Sequence, residues 1–223
     1  MGKLTEKVPK PLLIVQNKPI LEYSLLALRP SVDRVLVVVS YLSEQIEEYM
    51  AGQDIFTKYE IVHQIRPLGT GHAVASAKKH LKSDQFLVIN GDDLYDAGSL
   101  HELAQKPLGI LVVELNDPTK YAAVVTNKKG YVVRLHEKPP AGLYSPPVAV
   151  NIGAYKLNRS IFDMKLSLSE RGEYEITEYI TELAKKEKVS AVNAKFWLPI
   201  GTPEQLGEAQ RVDLQYLTLL SDI

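Results

Sequence analysis

Cysteine is missing from all 223 residues. Its absence excludes disulfides, thiolate nucleophiles and cysteine-held zinc or iron–sulfur centres. The five histidines offer no substitute, because no two stand at metal-ligand spacing, and a zinc site is not expected. An excess of either charge is missing too. The 26 basic residues nearly balance the 27 acidic ones, for a net of −1, and there is no long basic run. Neither nucleic acid nor a membrane is therefore an expected partner. No apolar stretch approaches the length of a membrane span, and Met1-Gly2-Lys3-Leu4-Thr5-Glu6-Lys7 has no signal-peptide core. The expected location is cytoplasmic.

What is present suits an ordinary globular chain with a substantial core: 45% of residues are hydrophobic and 24% charged. In the first hundred residues, strand-like and helix-like runs alternate. Pro11 to Val15, Val35 to Val39, Tyr59 to His63 and Phe86 to Ile89 read as strands. Between them, helices are expected over Ile20 to Leu28, over Glu44 to Ala51 behind a Ser43 cap, and over Gly71 to Lys82. Such alternation predicts an α/β fold with a mixed, mostly parallel sheet flanked by helices. After Gly98, turns separate strand-like runs at Leu108 to Leu115, Tyr121 to Val125, Tyr131 to Leu135 and Val148 to Tyr155, which extend the sheet. Tyr174 to Lys186 is an amphipathic helix with Ile176, Tyr179, Ile180 and Leu183 on one face. Val189 to Phe196 is a further strand. A last helix starts near Pro203 and carries Leu206, Ala209, Val212, Tyr216 and Leu219 at helical spacing. Its apolar end, with Leu217, Leu219, Leu220 and Ile223, leaves two dockings open: its own domain, or a second copy in a homo-oligomer. No internal repeat or linker appears, so a single domain is expected.

The chemistry concentrates where strands end. Phe86-Leu87-Val88-Ile89 stops at Asn90-Gly91-Asp92-Asp93. In α/β proteins the ligand crevice lies beyond the carboxyl ends of strands, where a carboxylate can hold a divalent metal against phosphates. Taken alone, these four residues read better as a plain polar turn. Leu68-Gly69-Thr70-Gly71 lies between a strand and a helix, where glycine admits a ligand to the backbone. Gly-Thr-Gly is also a routine turn. Gln64, just upstream, has an amide able to meet a nucleobase edge, although most surface glutamines have no such role. Lys10 stands between Pro9 and Pro11, which stiffen the backbone presenting its ammonium. Glu137-Lys138 after the Tyr131 strand pairs a carboxylate for hydroxyls with an ammonium for a phosphate. Arg171 adds a second cation, with a charged helix cap as its plain alternative.

The segments PKPLL, LGTGHA, FLVINGDD, HEKP, NIGAY, RGEYEIT and WLPIGTPEQL occur in that order. Together they resemble the sugar-phosphate nucleotidyltransferase family, over about Leu4 to Arg211. The resemblance implies a Rossmann-like nucleotidyltransferase fold, with a nucleotide-binding half near 1–97 and a sugar-binding half near 98–223. The implied reaction joins a nucleoside triphosphate to a sugar 1-phosphate with Mg²⁺ and releases pyrophosphate. By position, Lys10 would neutralise the triphosphate, Asp92 would bind the metal, and Gln64, Gly69 and Thr70 would line the base pocket. Glu137 would hold sugar hydroxyls, Lys138 and Arg171 the sugar phosphate, and Asn151 and Gly153 the sugar pocket. Asp93, Glu173 and the histidines are assigned structural roles.

The sequence departs from the family's pattern in three places. The apolar strand and GGxGTRL loop that normally precede the PKPLL motif are not seen before it. Pro199 stands where many members place a second metal-binding aspartate, which leaves Asp92 to hold the metal with phosphates and water. Ala122 replaces a glycine that approaches the sugar. A non-catalytic, nucleotide-sugar-binding or regulatory relative is the alternative function.

Overall fold

Prolines set the geometry at the start of the chain. The computed structural model describes residues 1–165, 167–169, 172–214 and 217. Lys10–Leu12 form one 3₁₀ turn, closed by Leu12 N–H to the Pro9 carbonyl at 2.8 Å and Leu13 N–H to the Lys10 carbonyl at 3.1 Å. The strand expected over Pro11 to Val15 is therefore reduced to β1 (Ile14–Val15), antiparallel to β2 (Lys18–Pro19). Proline's fixed φ and missing donor keep the preceding residues out of a ladder. α1 (Ile20–Leu28) and β3 (Val35–Val39) follow as expected. Helix α2 (Ser43–Gly52) corrects one expectation: Ser43 is its first helical residue, and the cap position belongs to Leu42 at φ +53° with no side-chain hydrogen bond. β4 (Tyr59–His63) then pairs parallel with β3, Val35 opposite Tyr59 through Val39 opposite His63.

α3 spans only Thr70–Ser76. Beyond it the chain tightens into turns, with Ala77 N–H to Val74 and Lys78 N–H to Ala75 both at 3.1 Å. Next come β5 (Gln85–Ile89), β6 (Asp93–Tyr95), α4 (Ala97–Ala104), β7 (Gly109–Leu115), β8 (Ala122–Thr126), β9 (Val132–Glu137) and β10 (Val148–Asn158). The last elements are α5 (Ile176–Ala184), β11 (Ser190–Asn193), β12 (Trp197–Pro199) and α6 (Pro203–Ala209). Thr202 and Gln205 form a reciprocal capping box at the start of α6, worth about 1 kcal/mol. Val212 lies past the end of α6, and Tyr216 and Leu219, assigned to this helix from the sequence, lie outside the described residues.

The elements sort into two compact units that interleave along the chain. The first comprises Met1–Ile65, Asn90–His101 and Lys195–Ile223. Its core gathers Leu13, Val15, Ile20 and Tyr23 with Leu94, Leu198 and Ile200. Leu217 is buried in the same core, so this part of the chain's end docks on its own unit. Leu219, Leu220 and Ile223 lie outside the described residues. Within this unit β6 and β12 form a short antiparallel pair, with Pro199 opposite Asp93.

The second unit comprises Arg66–Ile89 and Glu102–Ala194. It holds a six-stranded mixed sheet in the order β11-β7-β10-β8-β9, with β5 also on β10. Among the described strands the parallel ladders are β3·β4 and β11·β7, and the other pairings are antiparallel. The mixed α/β character stands, with a smaller parallel share than the alternation suggested. The reason is β10, whose eleven residues give one edge first to β8 and then to β5. α5 covers this sheet through Ile176, Tyr179, Ile180 and Leu183, each burial contributing about 2 kcal/mol before entropic costs.

Candidate active site

In the first unit, the turn before β6 presents Asp92 and the 3₁₀ turn between the prolines presents Lys10. Lys10 Nζ donates to Asp92 Oδ2 at 2.5 Å, and the two side chains retain 24% and 37% exposure. A cation and a carboxylate thus meet at a place that solvent, and so a ligand, can reach. Asp92 supplies hard oxygen donors. Among the described residues no three His, Asp or Glu side chains gather into a metal-holding group. The chain therefore fits an ion that takes one carboxylate and completes its shell with phosphate oxygens and water, as Mg²⁺ does. Pro199 contributes no side-chain oxygen to such a shell.

The adjacent carboxylate has a different environment. Asp93 is only 7% exposed. Its Oδ2 accepts from Tyr95 Oη and Trp197 Nε1 at 3.4 Å each and from Asn90 Nδ2 at 3.5 Å, while Oδ1 accepts from Ile200 N–H at 3.4 Å. Burial pushes its pKa up to about 6, and the neighbouring Asp92 charge adds to the rise. Lys10 and the Trp197 and Asn90 donors oppose it.

Gln64 directly follows β4 in the same unit, its N–H bonded to the Val39 carbonyl at 2.7 Å. Gly69 and Thr70 belong to the second unit, where they are stitched to the segment leading into α5. Tyr174 N–H donates to the Leu68 carbonyl and Gly71 N–H to the Tyr174 carbonyl, both at 2.8 Å. Ile176 N–H donates to Thr70 Oγ1 at 3.1 Å. Thr70 thus caps α5 from across the sequence, a role invisible to local sequence patterns. These bonds also consume Tyr174, so α5 starts at Ile176 rather than at the expected Tyr174. Gly69 sits at φ +105°, and a Cβ there would come within 2.6 Å of the Tyr174 carbonyl oxygen.

The sheet of the second unit aligns three residues in one row. Ala122 lies opposite Glu137 on β9 and opposite Asn151 on β10. Directly opposed residues share a face, so the carboxylate and the amide flank one buried methyl group. Asn151 is held by its Nδ2 bond to Tyr155 Oη at 2.8 Å and by the Gly153 N–H on its Oδ1 at 3.3 Å. Gly153, at φ +78°, lies where β10 shifts register against β7. Lys138 follows Glu137 at φ +43°, its N–H fixed to the Tyr121 carbonyl at 2.9 Å. Arg171 lies outside the described residues. Separately, a groove of about 750 Å³ lies along α1 and α2 in the first unit, lined by Lys18, Glu22, Arg29 and Tyr49 but not by Lys10 or Asp92.

The first unit carries a lysine–carboxylate pair on its turns, and the second carries a mixed sheet flanked by helices. The chain belongs to the nucleotidyl transferase family, whose model matches residues 2–216. It is 33% identical over 211 residues to the bifunctional protein GlmU of Methanocaldococcus jannaschii, covering 93% of this chain and 50% of that one. It is 28% identical to the D-glycero-alpha-D-manno-heptose 1-phosphate guanylyltransferase of Campylobacter jejuni, covering 92% of this chain and 90% of that one. The fold matches a UDP-glucose pyrophosphorylase complexed with UDP-glucose at a TM-score of 0.83 and 21% identity, covering 94% of this chain and 92% of the other. The chain spans about half the length of the GlmU proteins it matches.

Proposed function

We propose that this chain acts as a sugar-1-phosphate nucleotidyltransferase, making a nucleotide sugar and pyrophosphate from a nucleoside triphosphate and a sugar 1-phosphate. The observation that carries the reading is the half-exposed Lys10–Asp92 pair, because this chemistry depends on positioning and charge neutralisation. A phosphate oxygen of the sugar 1-phosphate attacks the α-phosphorus in line. The bond from that phosphorus to the bridging oxygen breaks, and pyrophosphate leaves with the electron pair.

Lys10 neutralises triphosphate oxygens, and Asp92 would hold Mg²⁺, which supplies charge stabilisation across the phosphates when bound. Gln64 of the first unit, and separately Gly69 and Thr70 of the second, are assigned to base recognition; Thr70 Oγ1 accepts from Ile176 N–H, and a hydroxyl can also donate. Glu137 accepts from sugar hydroxyls, Asn151 and Gly153 shape the sugar pocket, and Lys138 and Arg171 meet the sugar phosphate. The nucleotide-binding residues then fall near 1–97 and the sugar-binding ones near 98–223. Nucleoside triphosphates and sugar phosphates are charged metabolites of the cytoplasm, which supports a cytoplasmic location.

Asp92→Asn tests the assignment. It should cut metal-dependent turnover by more than about 100-fold, since even outer-shell partners are worth 10–100-fold at metal sites. The melting temperature should scarcely change, because the side chain is 37% exposed. Near-normal turnover in this variant would remove Asp92 from the metal site. Pro199, without an oxygen donor opposite Asp93, favours a second reading, a silent binding relative that takes up nucleotide sugar and releases no pyrophosphate.

A further inference from the structure

We propose that Asp93 is a positioning residue that holds Asp92 in place for the metal, a role resting on the reading of the Lys10–Asp92 site above. Its location is unusual for a carboxylate. It lies in β6 beside fully buried Leu94 and Tyr95, where an apolar residue would pack at lower cost. The Tyr95 Oη bond lies within β6, while the other three join two segments or close a turn. Asn90 and Asp93 bracket Gly91-Asp92, so the Asn90 Nδ2 bond at 3.5 Å closes the turn carrying Asp92. A Cβ built on Gly91 would meet nothing within 4 Å, so this position of the turn is open.

On the other side, Trp197 Nε1 and Ile200 N–H, each at 3.4 Å, bracket Leu198-Pro199. Pro199 is the residue opposite Asp93 and has no N–H for the ladder. The Asp93 carboxylate thus supplies an acceptor that fastens the end of β12 just past its proline. All four contacts are long, at 3.4–3.5 Å, so the hold is the sum of several weak bonds. The carboxylate pins the turn from beneath while Asp92 keeps its exposure above. Removing an acceptor here frees the turn and lets Asp92 leave its metal-binding geometry.

Asp93→Asn keeps the shape, but its N–H₂ faces donors in either orientation, Trp197 and Asn90 in one and the Ile200 N–H in the other. Trp197→Phe removes a single donor and preserves most of the volume. Mn²⁺ titrated by water-proton relaxation, with a nucleoside triphosphate present and no sugar 1-phosphate, reports the bound ion without turnover, with Asp92→Asn defining the background. Asp93→Asn should weaken Mn²⁺ binding about tenfold and Trp197→Phe about threefold, with the KM for sugar 1-phosphate unchanged in both. A folded Asp93→Asn chain with wild-type Mn²⁺ affinity overturns the proposal. So does a parallel loss of metal and sugar-phosphate affinity, the mark of a general structural role. If Asp93→Asn does not fold, Trp197→Phe decides by the same readings. Wild-type chain that binds Mn²⁺ above background yet releases no pyrophosphate would overturn the catalytic reading alone. Wild-type chain that binds Mn²⁺ no better than Asp92→Asn would overturn the metal assignment and this proposal together.

Discussion

Lys138 is exposed and held at φ +43°, a left-handed conformation that costs a non-glycine residue roughly 1 kcal/mol. The bond from its N–H to the Tyr121 carbonyl fixes this conformation and turns the side chain away from the β9 alternation. Lys138→Ala should raise the KM for sugar 1-phosphate about tenfold or more, the scale of one charged hydrogen bond, and leave the nucleotide KM nearly unchanged. Steady-state kinetics with each substrate varied separately read the split, and equal effects on both would move Lys138 elsewhere. Asp92 and Asp93 show how far single residues were legible in the sequence. Motif order pointed to Lys10 and Asp92, and their ion pair brings the two together. Asp93 looked like a second polar turn residue, because its partners Trp197 and Ile200 lie about a hundred positions away. The available signal was a carboxylate opening the apolar run Leu94-Tyr95.

Elements were most legible where one local force set them. The limits of α1, β3 and β4 agree with the expectation residue for residue, since apolar periodicity alone decides them. Distant contacts account for other boundaries. α5 begins two residues late because Tyr174 is bonded on both sides to the loop of Leu68 and Gly71. After α3, the carbonyls of Lys78 and Leu81 are taken by the Arg159 guanidinium, where the sequence promised more helix. The loop-to-helix clasp is the element-scale feature most open to test. Gly69→Ala must relieve both a positive φ and a 2.6 Å approach to the Tyr174 carbonyl, at a cost of about 2 kcal/mol or more. Urea unfolding should show the midpoint fall, and an unchanged midpoint would mean that the clasp opens freely.

At the scale of the molecule, sequence order and spatial order diverge. The two compact units are each built from separated stretches: 66–89 and 102–194 form the second, and 1–65, 90–101 and 195–223 the first. No local pattern carries that information, because long-range pairings such as β10 with β5 and β12 with β6 set it. Among the described residues no helix is long and apolar enough to cross a membrane. Membership of the nucleotidyl transferase family covers residues 2–216 and therefore spans both units. In the function proposed above, Lys10 and Asp92 serve a nucleotidyl transfer with a divalent metal. Pyrophosphate release by the purified chain tests it most directly, using a panel of nucleoside triphosphates and sugar 1-phosphates with Mg²⁺ or with a chelator. Release is expected with at least one pair of substrates and should be abolished by the chelator. A folded chain that binds nucleotide sugar but releases no pyrophosphate with any pair would contradict it.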